Sequence, residues 1–116
     1  MTPETFLRMK RIVQKLIEQT EIGSIEWKLT DDEKSFLHST SNSSIVVTRR
    51  RGALAGPVEL TVLNKLGREV ETISTRQTID EVDAKQELED LWELARQSAL
   101  KVNEELDQVL EELDEE

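Results

Sequence analysis

The chain has 116 residues, no cysteine and a formal net charge of −10 at pH 7. This length fits one domain, which we assign to residues 1–116, and the lack of cysteine excludes a disulfide framework or a thiolate zinc site. No apolar run approaches the roughly 18 residues of a membrane span, and the first ten residues lack the apolar core of a secretory signal, so we expect a cytoplasmic protein with no membrane partner.

Charge is unevenly distributed along the sequence. Residues 1–58 hold nine Lys and Arg against seven Asp and Glu, whereas residues 59–116 hold six against eighteen. Eight acidic residues and no basic residue follow Lys101. This segment repels phosphate backbones. It is typical either of a solvated helix face or of an acidic surface for a basic partner.

Residues 1–22 are predicted to form a helix. Thr2 suits the N-cap, Pro3 suits the first helical position, and Gly23 suits the stop. Apolar residues recur three, four and three positions apart: Phe6, Met9, Val13 and Leu16. Four basic residues fall mostly on the opposite side: Arg8, Lys10, Arg11 and Lys15.

Residues 24–75 change to a period of two, which predicts β-strands. Five segments show this pattern: SIEWKLT, SFLHST, SIVVT, PVELTVLN and REVETIST. Their short connections favour an antiparallel meander, because parallel strands need long crossovers. In the NKLG connection, Gly67 is expected to supply a positive φ. The β-branched run of the third strand predicts burial on both faces.

Residues 79–114 are predicted to be helical. Thr78 and Glu81 match a capping box. An uninterrupted heptad stripe follows: Leu88, Trp92, Ala95, Ala99, Val102, Leu106, Val109 and Leu113. One helix would span about 50 Å, whereas a five-stranded sheet is about 20–25 Å wide. Either the second half projects and pairs with another chain, or the helix breaks near 101–103 and folds back, with Asn103 as a new N-cap.

These elements predict an α+β fold. It has an N-terminal helix, a five-stranded antiparallel meander, and a long C-terminal helix or helix pair. The helices pack on one face of the sheet, and the other face is polar and solvated. Trp27 and Trp92 are expected in one core cluster, with both indole N–H groups bonded.

Residues with catalytic or metal-binding chemistry are few. His38 is the only histidine, and the chain has no cysteine or tyrosine. We interpret His38 as a half-exposed, hydrogen-bonded strand residue. The acidic turn at 31–33 lacks the spacing and the glycine of a calcium loop. No phosphate-binding glycine motif is present. We therefore predict no enzyme activity, cofactor, metal or small-molecule substrate.

Three consecutive arginines, Arg49 to Arg51, stand at the start of the stretch RRRGALAGP. They lie at the end of the third predicted strand, where at most Arg49 and Arg51 share a side. Aromatic residues for stacking on bases are absent nearby. The segment fits a solubilising loop, a contact with an acidic protein surface such as the C-terminal helix of a second copy, or a phosphate contact.

The segments SIEWKLTDDEKSF, SIVVTR, VELTVLNKLGREVETI and LWELARQSALKVNEELDQVLEEL resemble a group of small bacterial proteins with no established activity. The resemblance covers about residues 20–113. It implies a helix, a short meander and C-terminal helices in a bacterial protein, and it implies no site residue.

The sequence favours a protein–protein interaction or regulatory module that forms a homodimer through its C-terminal stripe. The alternative is a nucleic-acid-associated factor that uses the arginines and the basic side of the first helix. The candidate interaction residues are Arg49, Arg50, Arg51, Val102, Leu106, Val109, Leu110 and Leu113.

Overall fold

The computed structural model describes residues 1–31, 34–50, 56–76 and 81–115. It has an α+β fold, which confirms the predicted class. The elements in chain order are α1 (Pro3–Glu21), β1 (Lys28–Leu29), β2 (Ser35–Ser39), β3 (Ser44–Arg49), β4 (Val58–Leu63), β5 (Glu69–Ser74), α2 (Val82–Leu100) and α3 (Val102–Asp114).

The sheet is an antiparallel meander with the strand order β1-β2-β3-β4-β5. Its register aligns one apolar residue from each of four strands into a row across the core face: Phe36, Val47, Leu60 and Ile73. All four side chains are almost completely buried. This row is the floor on which the helices pack.

Helices α1 and α2 cover the core face of the sheet. Each contributes apolar residues from one stripe, which are Met9, Val13 and Leu16 from α1 and Leu88, Leu91 and Ala95 from α2. The opposite face carries polar pairs such as Thr61 and Thr72, whose hydroxyl oxygens lie 3.0 Å apart. The prediction that β3 is buried on both faces is wrong. Ile45 and Val47 are buried, but Val46 is only half-buried on the open face.

Both tryptophans join the predicted cluster. Trp27 is in the core, and Trp92 packs against it half-buried. The Trp27 indole donates to the Thr20 hydroxyl at 3.0 Å, and the Trp92 indole donates to the Lys34 carbonyl at 3.0 Å. The Trp27 backbone N–H donates to Ser98 Oγ on α2 at 3.0 Å. Trp27 is thus bonded to a helix, and β1 has two residues rather than the seven of SIEWKLT.

The β4–β5 turn forms as the sequence predicts. Gly67 has a φ of +78°, and its N–H donates to the Asn64 carbonyl at 2.9 Å. The Asn64 side-chain oxygen accepts from the N–H groups of Leu66 and Arg68, so one residue closes the turn with both its backbone and its side chain.

The C-terminal helix breaks at Lys101, which adopts the left-handed conformation with φ 50° and ψ 48°. Asn103 is not the N-cap, because α3 starts at Val102 directly after Lys101 and no side chain caps it. The predicted capping box involves residues 78–80, which lie outside the described residues, and α2 begins at Val82 without a side-chain cap.

Helix α3 extends away from the domain instead of folding back onto the sheet. The Cα radius of gyration is 15.6 Å, whereas a compact domain of this length has about 13 Å. The longest dimension is 58 Å, and no residue of α3 is buried. The break therefore changes the direction of the helix but does not cover its apolar stripe.

Replacing Lys101 by glycine should raise the free energy of unfolding by about 0.5–1 kcal/mol, because glycine adopts a positive φ without steric cost. The matched substitution Lys85→Gly, inside α2, should lower it by a similar amount. Urea denaturation of both variants measures the two effects. A loss of stability in Lys101→Gly as large as that in Lys85→Gly would contradict the left-handed break.

Candidate interaction surface

The apolar residues of α3 form a continuous stripe along one side of the helix. At 100° per residue, they fall within an arc of about 100°. The stripe consists of Val102, Leu106, Val109, Leu110 and Leu113. The other side carries Gln108 and acidic residues. The local sequence therefore produces an amphipathic helix of the kind that normally packs against another element.

The described part of the chain leaves this stripe about half exposed. Leu106, Val109, Leu110 and Leu113 are between 47% and 61% exposed. The main contact of α3 is with α2, the helix before it. Val102 is half-buried and lines, with Leu94, a cavity of about 320 Å³ at the α2–α3 junction. The apolar face is thus anchored at its first residue and open from Leu106 onward.

Acidic side chains flank the stripe on both sides. Glu105 and Glu112 are seven residues apart and border one edge, and Asp107 and Asp114 border the other. All four residues are exposed. With no basic residue in α3, the surface combines an apolar centre with a negative rim. It is electrostatically suited to a surface with an apolar centre and a positive rim.

The structure places Arg49 in the protein rather than at a free loop edge. Its guanidinium forms an ion pair with Glu89 of α2 and lies over the Trp92 ring, with Cζ 4.6 Å from the ring centroid. Its Nη1 also donates to the Gly56 carbonyl at 3.0 Å. The side chain is 17% exposed. Arg49 therefore joins the end of β3 to α2.

No pattern in the sequence predicts this contact between Arg49 and α2. Glu89 lies forty residues from Arg49 in the sequence, and only the packing of α2 over the sheet brings the two together. Trp92 was expected in the core cluster, but no pattern linked it to an arginine. The alternation of β3 offered one weak signal, because it places Arg49 on the same face as Ile45 and Val47.

The other two arginines differ from Arg49. Arg50 Nε lies 3.0 Å from Glu59 Oε1 on the neighbouring strand, and its side chain is 64% exposed. Arg51 lies outside the described residues. The described arginines of the predicted interaction segment, Arg49 and Arg50, thus both contact carboxylates of their own chain that lie outside α3.

The basic side of α1 is exposed to solvent. Arg8 Nη1 lies 3.9 Å from Glu4 Oε2, and both side chains are largely exposed, so this pair contributes little stability. Arg11 and Lys15 are also exposed. Leu7, on the same side, is a further exposed apolar residue. This side is therefore a basic surface with one apolar residue among its charges.

His38 is half-exposed in β2, as expected. Its Nδ1 lies 3.1 Å from the Glu26 carbonyl, and its ring centroid lies 5.8 Å from that of Trp27. Across residues 1–31, 34–50, 56–76 and 81–115, no group of three or more His, Asp or Glu side chains is placed to hold a metal ion. Two residues of the acidic turn, 32 and 33, are outside those ranges.

Among the described helices, none combines the length and the apolar character that crossing a bilayer requires.

Comparison of the chain with protein-family models, with curated proteins and with solved structures finds no match. Any functional conclusion must therefore come from the surfaces of the chain.

The substitution Arg49→Met should lower the free energy of unfolding by about 1–3 kcal/mol, because it leaves the Glu89 carboxylate and the Gly56 carbonyl without their partner. The control Arg68→Met removes an exposed arginine from the β4–β5 turn and should change stability by less than about 0.5 kcal/mol. Urea denaturation compares the two variants. Equal stabilities would show that Arg49 does not join β3 to α2.

Proposed function

We propose that this chain is a non-enzymatic protein–protein interaction module that forms a homodimer through the apolar face of α3. The observation that carries the proposal is the exposure of four large apolar side chains in one stripe, on a helix that projects from the domain. Exposed apolar stripes of this kind mark surfaces for protein partners.

The energetics of α3 support a partner. Isolated helices shorter than about 12–15 residues are marginal in water, and α3 has 13 residues with no buried side chain. Covering the exposed half of each large apolar side chain contributes roughly 1 kcal/mol per residue. Four such residues on each of two copies together contribute enough free energy to offset the lower range of the free-energy cost of association.

The heptad spacing supports a helix-docking mode of association. Leu88 and Ala95 of the stripe are in the core of their own domain, and Trp92 and Ala99 pack against it. The same spacing continues past Lys101 into α3, where the domain no longer covers it. A sequence that keeps its apolar period beyond its own core is typical of a helix completed by another chain.

The arginines at the end of β3 give the nucleic-acid alternative no support, which leaves it the exposed basic side of α1. Arg49 and Arg50 contact Glu89 and Glu59 of the same chain. The acidic rim of α3 would repel a phosphate backbone. We therefore propose the interaction module alone.

Sedimentation equilibrium at about 100 μM should show a dimer, and Leu106→Ala with Leu113→Ala should weaken it by about tenfold or more, because the double variant removes apolar area buried between copies. The stability of the monomer should hardly change, because both leucines are exposed.

The control is Leu66→Ala, which removes a leucine that is 76% exposed from the β4–β5 turn. It should leave the dimer unchanged. A wild-type chain that stays monomeric at this concentration, or equal weakening by the Leu66 control, would refute the proposed homodimer.

A further inference from the structure

The charge of α3 argues against direct pairing of two α3 helices. In a two-stranded coiled coil, residues beside the apolar seam usually bring opposite charges together. Here both edges of the stripe are acidic, with Glu105 and Glu112 on one side and Asp107 and Asp114 on the other. Pairing α3 with α3 would bring like charges together without any basic residue to separate them. The surface that covers α3 should instead be basic.

A groove with a basic edge lies elsewhere on the same chain. It has a volume of about 340 Å³ and runs between α1 and the strands β2 and β3. Leu16 and Ile45, which are 5% and 9% exposed, form its apolar floor, with the half-buried Ile12 beside them, and Arg11 and Lys15 contribute positive charge. None of the described residues that line it is acidic. An apolar floor with one positive edge complements the apolar stripe of α3 and one of its two negative edges.

The two basic residues of the groove are available to a partner. Arg11 and Lys15 are both exposed, and neither forms a hydrogen bond or an ion pair with any residue that the structure describes. Arg49 is different, because Glu89 already pairs with it. Arg11 and Lys15 therefore combine free charge with a neighbouring apolar surface.

The chain does not place its own α3 in this groove. Helix α3 starts beside Thr20 and Glu21, at the end of α1, and its main contact is with α2. The stripe stays about half exposed. The two complementary surfaces of one chain are thus separate, which is the arrangement needed for exchange between two copies.

We infer that the apolar face of α3 docks into the groove between α1 and the β2–β3 strands of a second copy, with one of its acidic edges beside Arg11 and Lys15. The inference rests on the proposed homodimer and specifies its interface. In a two-fold dimer the contact occurs twice, because each copy supplies one helix and one groove. The repeated contact doubles the buried area and pairs the most acidic segment of each copy with a basic surface of the other copy.

The first variant tested is Arg11→Glu with Lys15→Glu, which reverses the edge of the groove and leaves α3 unchanged. The dimer dissociation constant in sedimentation equilibrium should rise by about tenfold or more, because like charges then face each other. The control, Lys28→Glu with Lys85→Glu, makes the same change of charge at exposed positions away from the groove and should have a much smaller effect.

The second variant, Glu105→Lys with Glu112→Lys, reverses one edge of α3 and should also weaken the dimer. Mixing it with the groove variant should restore a 1:1 heterodimer close to wild-type affinity, because one contact becomes native and the other has both charges reversed. This rescue shows that both variants are folded.

The possible results distinguish an error in the inferred interface from an error in the proposed homodimer. A wild-type dimer that the groove variant weakens no more than its control would overturn the inferred interface and leave the homodimer in place. The absence of rescue on mixing would also overturn the interface. A monomeric wild-type chain would overturn the homodimer and, with it, this interface.

Discussion

The exposure of α3 depends on where the hydrophobic core of the domain ends. One apolar stripe runs from Leu88 to Leu113, but the sheet and α1 cover it only as far as Ala99. Lys101 then takes the left-handed conformation, which stops α2 and sends α3 away from the domain. A five-stranded sheet is too narrow to cover a helix of about 50 Å. The size of the sheet thus creates an exposed apolar helix, and from this helix we derive the proposed dimer.

Opposite charges have two different roles in this chain. Arg49 pairs with Glu89 inside one copy, where Trp92 and a backbone carbonyl complete its surroundings. The acidic edges of α3 and the basic edge of the α1 groove have no comparable partner among the residues that the structure describes. The first contact stabilises the domain by fixing α2 over the sheet. The acidic edges of α3 and the basic edge of the groove give the proposed dimer its specificity, because their charges disfavour the pairing of two α3 helices.

Local patterns predicted most of the fold. Alternation identified all five strands, and the requirement for a positive φ identified Gly67 as a turn residue. They did not predict that β1 has only two residues, or that the Trp27 N–H bonds to Ser98, a residue 71 positions away. Local patterns also gave two wrong predictions, the burial of Val46 and the N-cap at Asn103. Burial of Val46 depends on which face of the sheet the helices cover, and the start of α3 depends on the left-handed Lys101. The stripe of α3 was visible in the sequence, but the groove joins residues from α1, β2 and β3 and required the tertiary structure.

Hydrogen exchange of the α3 amides tests the central claim most directly, namely that a second copy completes this helix. Residues 102–115 should exchange slowly at about 200 μM and much faster after dilution to about 1 μM, because dissociation leaves a short helix without cover. Exchange in the core strands should stay the same. Rapid exchange of α3 at both concentrations, or protection that dilution does not change, would contradict the claim.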